Sequence, residues 1–355
     1  GSLMIGVSAY QRAEIRLTQR EISASADKTR FARPPFNVPG SSQDDRTPVG
    51  LWPRFTVGAS SANRYFYPVN GVPSLTATAI PRDLYADYNQ YVIGQPRTSR
   101  YSFNSRIDYD LTPSVRAFAE FVAYDSRSMT ARQPVTLNAS DRVVTLAVDN
   151  PYNPYGSRFY SATGAPNADG SPRLTGAPQT ISIGDMLLAD GGPETIRTTN
   201  RMHRVLAGLQ GRIGRSSWNW ELGLMTGGVR ATDVPINDVR DSLLIAAAQR
   251  SDATAWNPFG YTFRVAGGAV VADQPYRNPA GVWQAFTAAA PRIGHTRVDS
   301  IDARIAGDAF RLWAGPAGVS LGAEWRRDYK DDDKPPYVGL NPPGSGLDPD
   351  DNDIL

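Results

Sequence analysis

Residues 98–127 read TSRYSFNSRIDYDLTPSVRAFAEFVAYDSR, two runs of alternating polarity around a Thr-Pro-Ser turn. In the first run Tyr101, Phe103, Ser105, Ile107 and Tyr109 form one mostly apolar row. Arg100, Ser102, Asn104, Arg106, Asp108 and Asp110 form the other. A period of two places successive side chains on opposite faces, which is the signature of a β-strand with one apolar and one polar face. Leu111-Thr112-Pro113-Ser114 supplies turn chemistry, with proline ending the ladder. The return run puts Val115, Ala117, Ala119, Phe121 and Ala123 on one face and Arg116 and Glu120 on the other, where Phe118 and Val122 interrupt the polar row.

The same unit recurs twice. Val205, Ala207, Leu209, Gly211 and Ile213 alternate with Arg204, Gln210 and Arg212. A Gly214-Arg215-Ser216-Ser217 turn leads to Trp218, Trp220, Leu222 and Leu224, which alternate with Asn219, Glu221 and Gly223. Further on, Ile301, Ala303 and Ile305 alternate with Asp302 and Arg304. After a turn at Ala314–Gly318, Val319, Leu321, Ala323 and Trp325 alternate with Ser320, Gly322, Glu324 and Arg326. A single run at the front, Leu3, Ile5, Val7 and Ala9, completes a set of seven strands, near residues 2–12, 98–110, 114–127, 201–213, 218–230, 296–310 and 318–328.

Short turns join these strands on one side, and connections of roughly 80, 70 and 60 residues join them on the other, where soluble domains seldom carry structureless loops beyond about 15. That asymmetry is the pattern of outer-membrane barrels, which have short periplasmic turns and long extracellular loops. The fold class expected is therefore all-β: an antiparallel transmembrane β-barrel segment of about seven strands, open and incomplete, with long extracellular loops carrying short helices. The apolar rows, Leu209 and Leu222 among them, would face lipid. Arg106, Asp108, Glu120, Glu221 and Glu324 would face a wet lumen, and Trp218 and Trp220 would sit in an aromatic girdle.

Composition is compatible. Of 355 residues 41% are apolar, too many for a disordered chain, while 32 Gly and 28 Pro signal many turns. The mean hydropathy of −0.38 suits a soluble protein, but also a barrel that shows lipid only every second residue. No run of 18 apolar residues is present to make a transmembrane helix. A net charge of +2 gives no global field for nucleic acid, and only three Lys stand among the 37 basic residues. The absence of Cys excludes a disulfide scaffold, a Cys-ligated zinc site and a thiol nucleophile.

The long connections carry signals of their own. Asn237–Arg250 predicts an amphipathic helix capped by Asn237 or Asp238, with Val239, Leu243 and Ala246 on one face. Gly281–Ala290 predicts a second short helix. Asn153-Pro154-Tyr155-Gly156, Asn257-Pro258-Phe259-Gly260 and Asn341-Pro342-Pro343-Gly344 share an N-P-x-G turn pattern. The aromatics beside these turns, Tyr152, Tyr155, Trp256 and Phe259, are the candidate ligand contacts, placed to stack on sugar or chelate rings. Asp331–Asp333 and Asp348–Asp351 are read as solvated acidic loops.

The run Tyr109-Asp110-Leu111-Thr112-Pro113-Ser114-Val115-Arg116-Ala117-Phe118-Ala119-Glu120 resembles a hairpin of TonB-dependent outer-membrane receptors. So do Asp149–Gly156, the helix followed by Asn257–Gly260, and Phe310-Arg311-Leu312 with Ala314-Gly315-Pro316 ahead of Gly322-Ala323-Glu324-Trp325-Arg326. The resemblance implies a barrel of roughly 22 strands plugged by an N-terminal domain. It also implies residence in the outer membrane of a Gram-negative bacterium, contact with outer-membrane lipid, and energy-coupled uptake through the TonB system of a siderophore, vitamin or oligosaccharide. No plug or TonB-binding box is expected within residues 1–355, which would form about a third of such a barrel.

Catalytic signatures are missing. No G-x-S-x-G elbow, H-E-x-x-H or P-loop occurs, and the two histidines, His203 and His295, are far apart in the chain. No enzyme activity, cofactor or resident metal is expected. The alternatives are a passive porin-like barrel, which needs no plug, a barrel enzyme, which needs a catalytic group at its rim, and a soluble β-rich binding module, which extracts without detergent.

Overall fold

The computed structural model describes residues 1–138, 143–339 and 352–355. The third N-P-x-G turn at 341–344 and the acidic cluster at 348–351 lie outside them. The protein is mostly β, and none of the described helices is long and apolar enough to cross a membrane.

Its frame is a seven-stranded antiparallel sheet in chain order: β1 (Ser2–Arg12), β2 (Arg97–Thr112), β3 (Val115–Arg132), β4 (Glu194–Arg212), β5 (Asn219–Ile236), β6 (Arg292–Leu312) and β7 (Gly315–Asp333). Each of the seven expected segments falls on one of these strands, with residues 114, 213 and 218 just outside them. β1 and β7 are its two edges, and no closed barrel forms among the described residues. Most strands run well past the expected ends; β4 begins at Glu194 rather than near 201, and β7 reaches Asp333. Asp331–Asp333, expected in a loop, are thus strand residues, and Asp332 accepts a forked pair of hydrogen bonds from Arg292 on β6, at 2.8 and 2.6 Å. The third turn is also tighter than expected, because β7 already starts at Gly315.

Register decides which side chains share a face. Arg106 stands opposite Glu120, Glu120 opposite Leu206, Gln210 opposite Glu221, and Glu221 opposite Arg304. One face therefore carries the charges. Arg106 binds Asp108 at 2.9 Å and Glu120 at 2.5 Å, Arg204 reaches Glu120 at 3.2 Å, and Arg304 reaches Glu221 at 3.3 Å. Phe118 lies on this face over Gly208, with the Arg106 guanidinium 5.7 Å above its ring. The opposite face carries Leu3, Val7, Ile107, Leu224, Ile301 and Leu321, all exposed to solvent.

That apolar face ends abruptly on every strand. The last apolar and first polar residues are Ala9 and Gln11 on β1, Tyr101 and Ser99 on β2, and Ala123 and Asp125 on β3. They are Val205 and His203 on β4, Leu224 and Thr226 on β5, Ile301 and Asp299 on β6, and Trp325 and Arg327 on β7. The border is oblique to the ladder rows. Tyr101 stands opposite Asp125, Ala123 opposite His203 and Val205 opposite Thr226, each a step of two residues toward the turns. From Leu224 through Ile301 to Trp325 it follows one row.

The three long connections fold together. Arg54–Val57, Arg64–Val69 and Val72–Thr76 from the first pair with Ile181–Leu187 and Val144–Leu146 from the second in a separate sheet. All three connections supply its core: Phe55 and Phe66 from the first, Leu137 and Ile183 from the second, Trp256 and Phe259 from the third. Helix α1 spans Asp241–Ala248 and α2 spans Ala280–Gln284. We call this unit the cap. It replaces the expected picture of loops bearing short helices alone. Its strands are two to seven residues long; apart from the hairpins 64–76 and 261–275 they pair mostly across distant segments, and none is long enough for alternation to announce it.

A Cβ at position 208 would come within 2.4 Å of both the Phe118 ring and the Leu222 carbonyl oxygen, whereas one at 322 would meet nothing closer than 3.7 Å. Gly208→Val should therefore destabilise by about 1–3 kcal/mol despite the strand preference of valine, and Gly322→Val should not. Denaturant unfolding of the two variants in detergent micelles compares them directly.

Candidate functional site

The cap is tied by asparagines. In both described N-P-x-G turns the Asn Oδ1 accepts from the backbone N–H two residues on: Tyr155 at 2.9 Å for Asn153, Phe259 at 2.8 Å for Asn257. These are Asx turns, a conformation the short polar side chain favours. The amide end then reaches elsewhere. Asn153 Nδ2 donates to the carbonyls of Ala147 and Gln179, at 3.0 and 2.8 Å, and Asn257 Nδ2 donates to Tyr261 O at 3.0 Å. Asn150 makes a third Asx turn, and its Nδ2 donates to Ala248 O at the end of α1, at 2.9 Å. Asn278 accepts from the Asn257 N–H at 3.0 Å and donates to Asp190 at 2.7 Å. All four asparagines are buried. Buried amides that find partners for both ends specify one arrangement of the strands they join.

This geometry locates the four candidate ligand residues. Trp256 and Phe259 are 2% exposed and belong to the core. Phe259 meets Phe55, Phe66 and Phe263 edge-on at 5.7, 5.5 and 5.2 Å, and Trp256 meets Phe286 at 6.4 Å. Only their rims reach a small cleft of about 230 Å³ shared with Trp52, Asp190 and Trp283. Tyr152 and Tyr155 are half-buried and lie away from that cleft. Tyr152 pairs with Tyr276, its hydroxyl donating at 2.6 Å and the rings 4.8 Å apart. Tyr155 stacks on Tyr160 at 6.4 Å. Burial raises the Tyr152 hydroxyl well above the usual phenol range, with the Tyr276 hydrogen bond adding to it. The four residues thus form no single surface, and the turns beside them organise the cap.

Helix α1 lies where its sequence places it, with different end chemistry and a different buried face. Asn237 adopts a left-handed conformation (φ 70°) and donates to Gly191 O at 2.8 Å, while Asp238 and Val239 pair as a short strand with Thr287 and Ala288. The helix N-terminus is instead capped by Asp353, whose carboxylate accepts from the Ser242 N–H and Oγ, both at 2.7 Å, and from Arg240 Nε at 2.8 Å. Leu244, Ala247 and Ala248 face the core, Leu243 packs partly against it, and Ala246 is exposed.

Three charged groups complete the cap and its junction with the sheet. Arg46 and Arg82 hold the fully enclosed Asp44 carboxylate at 2.8 and 3.1 Å, which keeps it well below the usual carboxylate range. Arg132 and Glu194 form a forked pair, at 2.6 and 2.5 Å, where β3 and β4 enter the cap. Asp238 is buried near Glu194 with no such partner. Desolvation first, and the Glu194 charge second, push it up to about 6. His203 and His295 stand on β4 and β6 with β5 between them, and no metal-holding cluster of acids and imidazoles occurs among the described residues.

The chain matches no family model, no curated protein and no solved structure.

The Asp238 environment sets a pH dependence. Its folded-state value lies above the unfolded carboxylate value, so its protonated form stabilises the fold at low pH. That contribution is lost as pH rises from about 4 through 6. Asp238→Asn should stabilise the cap at pH 8 by up to about 3 kcal/mol and leave it nearly unchanged at pH 4. Unfolding followed by tryptophan fluorescence at the two pH values measures the difference.

Proposed function

We propose that the seven-stranded sheet is a wall segment of an outer-membrane β-barrel, and that the chain is part of a TonB-dependent receptor whose cap faces outward. The observation that carries this reading is the exposed apolar band and its oblique border. A soluble sheet covers its apolar face with a second layer, as exposed contiguous apolar surface on this scale marks an interaction site. Here the cap's core lies in its own sheet, and Leu3, Ile5, Val7, Leu321 and Trp325 remain 58–75% exposed. Lipid is the natural cover.

The slant of the border supports the same reading. It moves by three two-residue steps across the six strand junctions, about one residue per strand. With a rise of about 3.3 Å per residue and a strand spacing of about 4.8 Å, a level border needs strands tilted by roughly 35°. Membrane barrels tilt their strands by about 35–45°. Aromatic residues mark both edges of the band, Tyr109, Trp218 and Trp220 toward the turns, Tyr101 and Trp325 toward the cap, as expected of interfacial girdles. The charged face is then the lumen, where Arg106, Glu120, Glu221 and Arg304 meet water.

Within this reading the open edges β1 and β7 pair with further strands, because unpaired backbone groups in hydrocarbon cost several kcal/mol each. The receptor assignment rests on the hairpin and loop motifs resembling that family. Those motifs favour active uptake of a siderophore, vitamin or oligosaccharide over passive diffusion.

Leu222 and Gln210 sit on neighbouring strands and opposite faces. Leu222→Arg should cost about 2–4 kcal/mol in a refolded bilayer sample, and Gln210→Arg close to nothing. Equal costs would remove the lipid assignment.

A further inference from the structure

Directly above the apolar band, on the same outward face, the side chains of β4 to β7 change from apolar to polar, with an arginine on each strand. Arg201 on β4, Arg230 on β5, and Arg297 on β6 surround a depression of about 710 Å³, with His203, His295, Tyr329 and one carboxylate, Asp331, in its walls. Gly228 forms its floor. A Cβ there would lie 3.0 Å from the Thr296 carbonyl oxygen and 3.4 Å from the His203 ring, so a side chain at this position would fill the hollow. Arg201 shares Asp125 with Arg127, and Arg297 pairs with Asp299 at 2.9 Å, each guanidinium still more than half exposed. Arg230 makes no ion pair among the described residues, and neither does Arg327 just below.

We propose that this depression seats the phosphorylated headgroup of an anionic lipid from the leaflet next to the cap, with the acyl chains lying on Val205, Leu224, Ile301 and Trp325. The inference rests on the membrane reading of the sheet. Three features argue for it. Planar guanidinium groups on three adjacent strands present forked donors that match phosphate oxygens. Three guanidinium groups against the single carboxylate of Asp331 leave the lining net cationic, and it sits on the lipid side of the wall, opposite the lumen, so a soluble substrate passing through the barrel would not meet it. The height fits as well. The three arginines stand roughly 8–13 Å beyond the border along the tilted strands, and their side chains can reach back into a headgroup layer about 5–8 Å deep. The apolar row below the depression is continuous with it, which suits an amphiphile and gives no advantage to free phosphate.

The test is native mass spectrometry of the full chain released from phosphatidylcholine bilayers containing diphosphoryl lipid A or the same lipid stripped of phosphate. Flotation with phosphatidylcholine vesicles comes first. A protein that carries the strands pairing with β1 and β7 and still does not insert overturns the membrane reading and this inference together. For an inserted chain, the expected result is a retained diphosphoryl adduct that millimolar inorganic phosphate does not displace. Occupancy should fall at least about tenfold in the triple variant Arg201→Gln, Arg230→Gln, Arg297→Gln. Arg230→Gln alone, which breaks no ion pair, should lower it measurably without touching the fold. Removing charge from the other face with Arg204→Gln and Arg304→Gln should leave it unchanged. Equal retention of the dephosphorylated lipid, undiminished retention by the triple variant, or displacement by inorganic phosphate would overturn the headgroup site while leaving the membrane reading intact.

Discussion

Strand register is the constraint on which the rest of this molecule depends. Six antiparallel ladders hold seven strands in fixed alignment, and in each a slip of one residue would carry every side chain to the other face. Such a slip in β4 alone would bring Arg204 between Phe121 and Thr226 on the outward face, and Leu209 between Arg116 and Glu221 among the charges. The cross-strand ion pairs guard against this. Glu120 is shared by Arg106 on β2 and Arg204 on β4, so two junctions must be in register at once for one carboxylate to be satisfied. Phe118 over Gly208 adds a steric key between β3 and β4 on the same face.

The cap obeys a different logic. Its strands are too short to fix their own register, so buried asparagines join the pieces instead. An Asn side chain that closes a turn with its oxygen and holds a distant carbonyl with its nitrogen links local geometry to tertiary contact in one residue. Asn150 and Asn153 do so, and Asn257 is tied to its distant neighbour through Asn278, which accepts from its N–H. The aromatic core then packs around those turns, which explains why the large rings beside them are enclosed.

What could be read in the sequence follows from the range of the forces involved. The sheet frame was legible because its apolar residues alternate with polar ones over five to ten consecutive positions. The upper halves of β4, β5 and β6 were less so, because beyond the border polar and apolar residues are mixed on both faces and alternation disappears while the ladder continues. The N-P-x-G turns were legible as turns, since the Asx geometry is local. Their second hydrogen bonds were not, and so Trp256 and Phe259 read as surface contacts although they are core. Helix α1 was legible in position, but its capping group Asp353 comes from a distant part of the chain and leaves no trace near Asn237. The small cleft at Trp52, Asp190 and Trp283 also joins distant segments and carries no motif.

The central claim is that one face of the sheet changes from lipid to water at a slanted line. The chain has no Cys, so single cysteines along β4 can carry nitroxide labels one at a time in bilayers. Accessibility to oxygen against a water-soluble relaxant reads the surroundings of each. The account predicts that labels at Val205, Ala207 and Leu209 report lipid, those at Arg204, Leu206 and Gln210 report water, and those at His203, Arg201 and Thr199 report water as well. Alternation that persists unchanged beyond Val205, or water on both faces throughout, would contradict it.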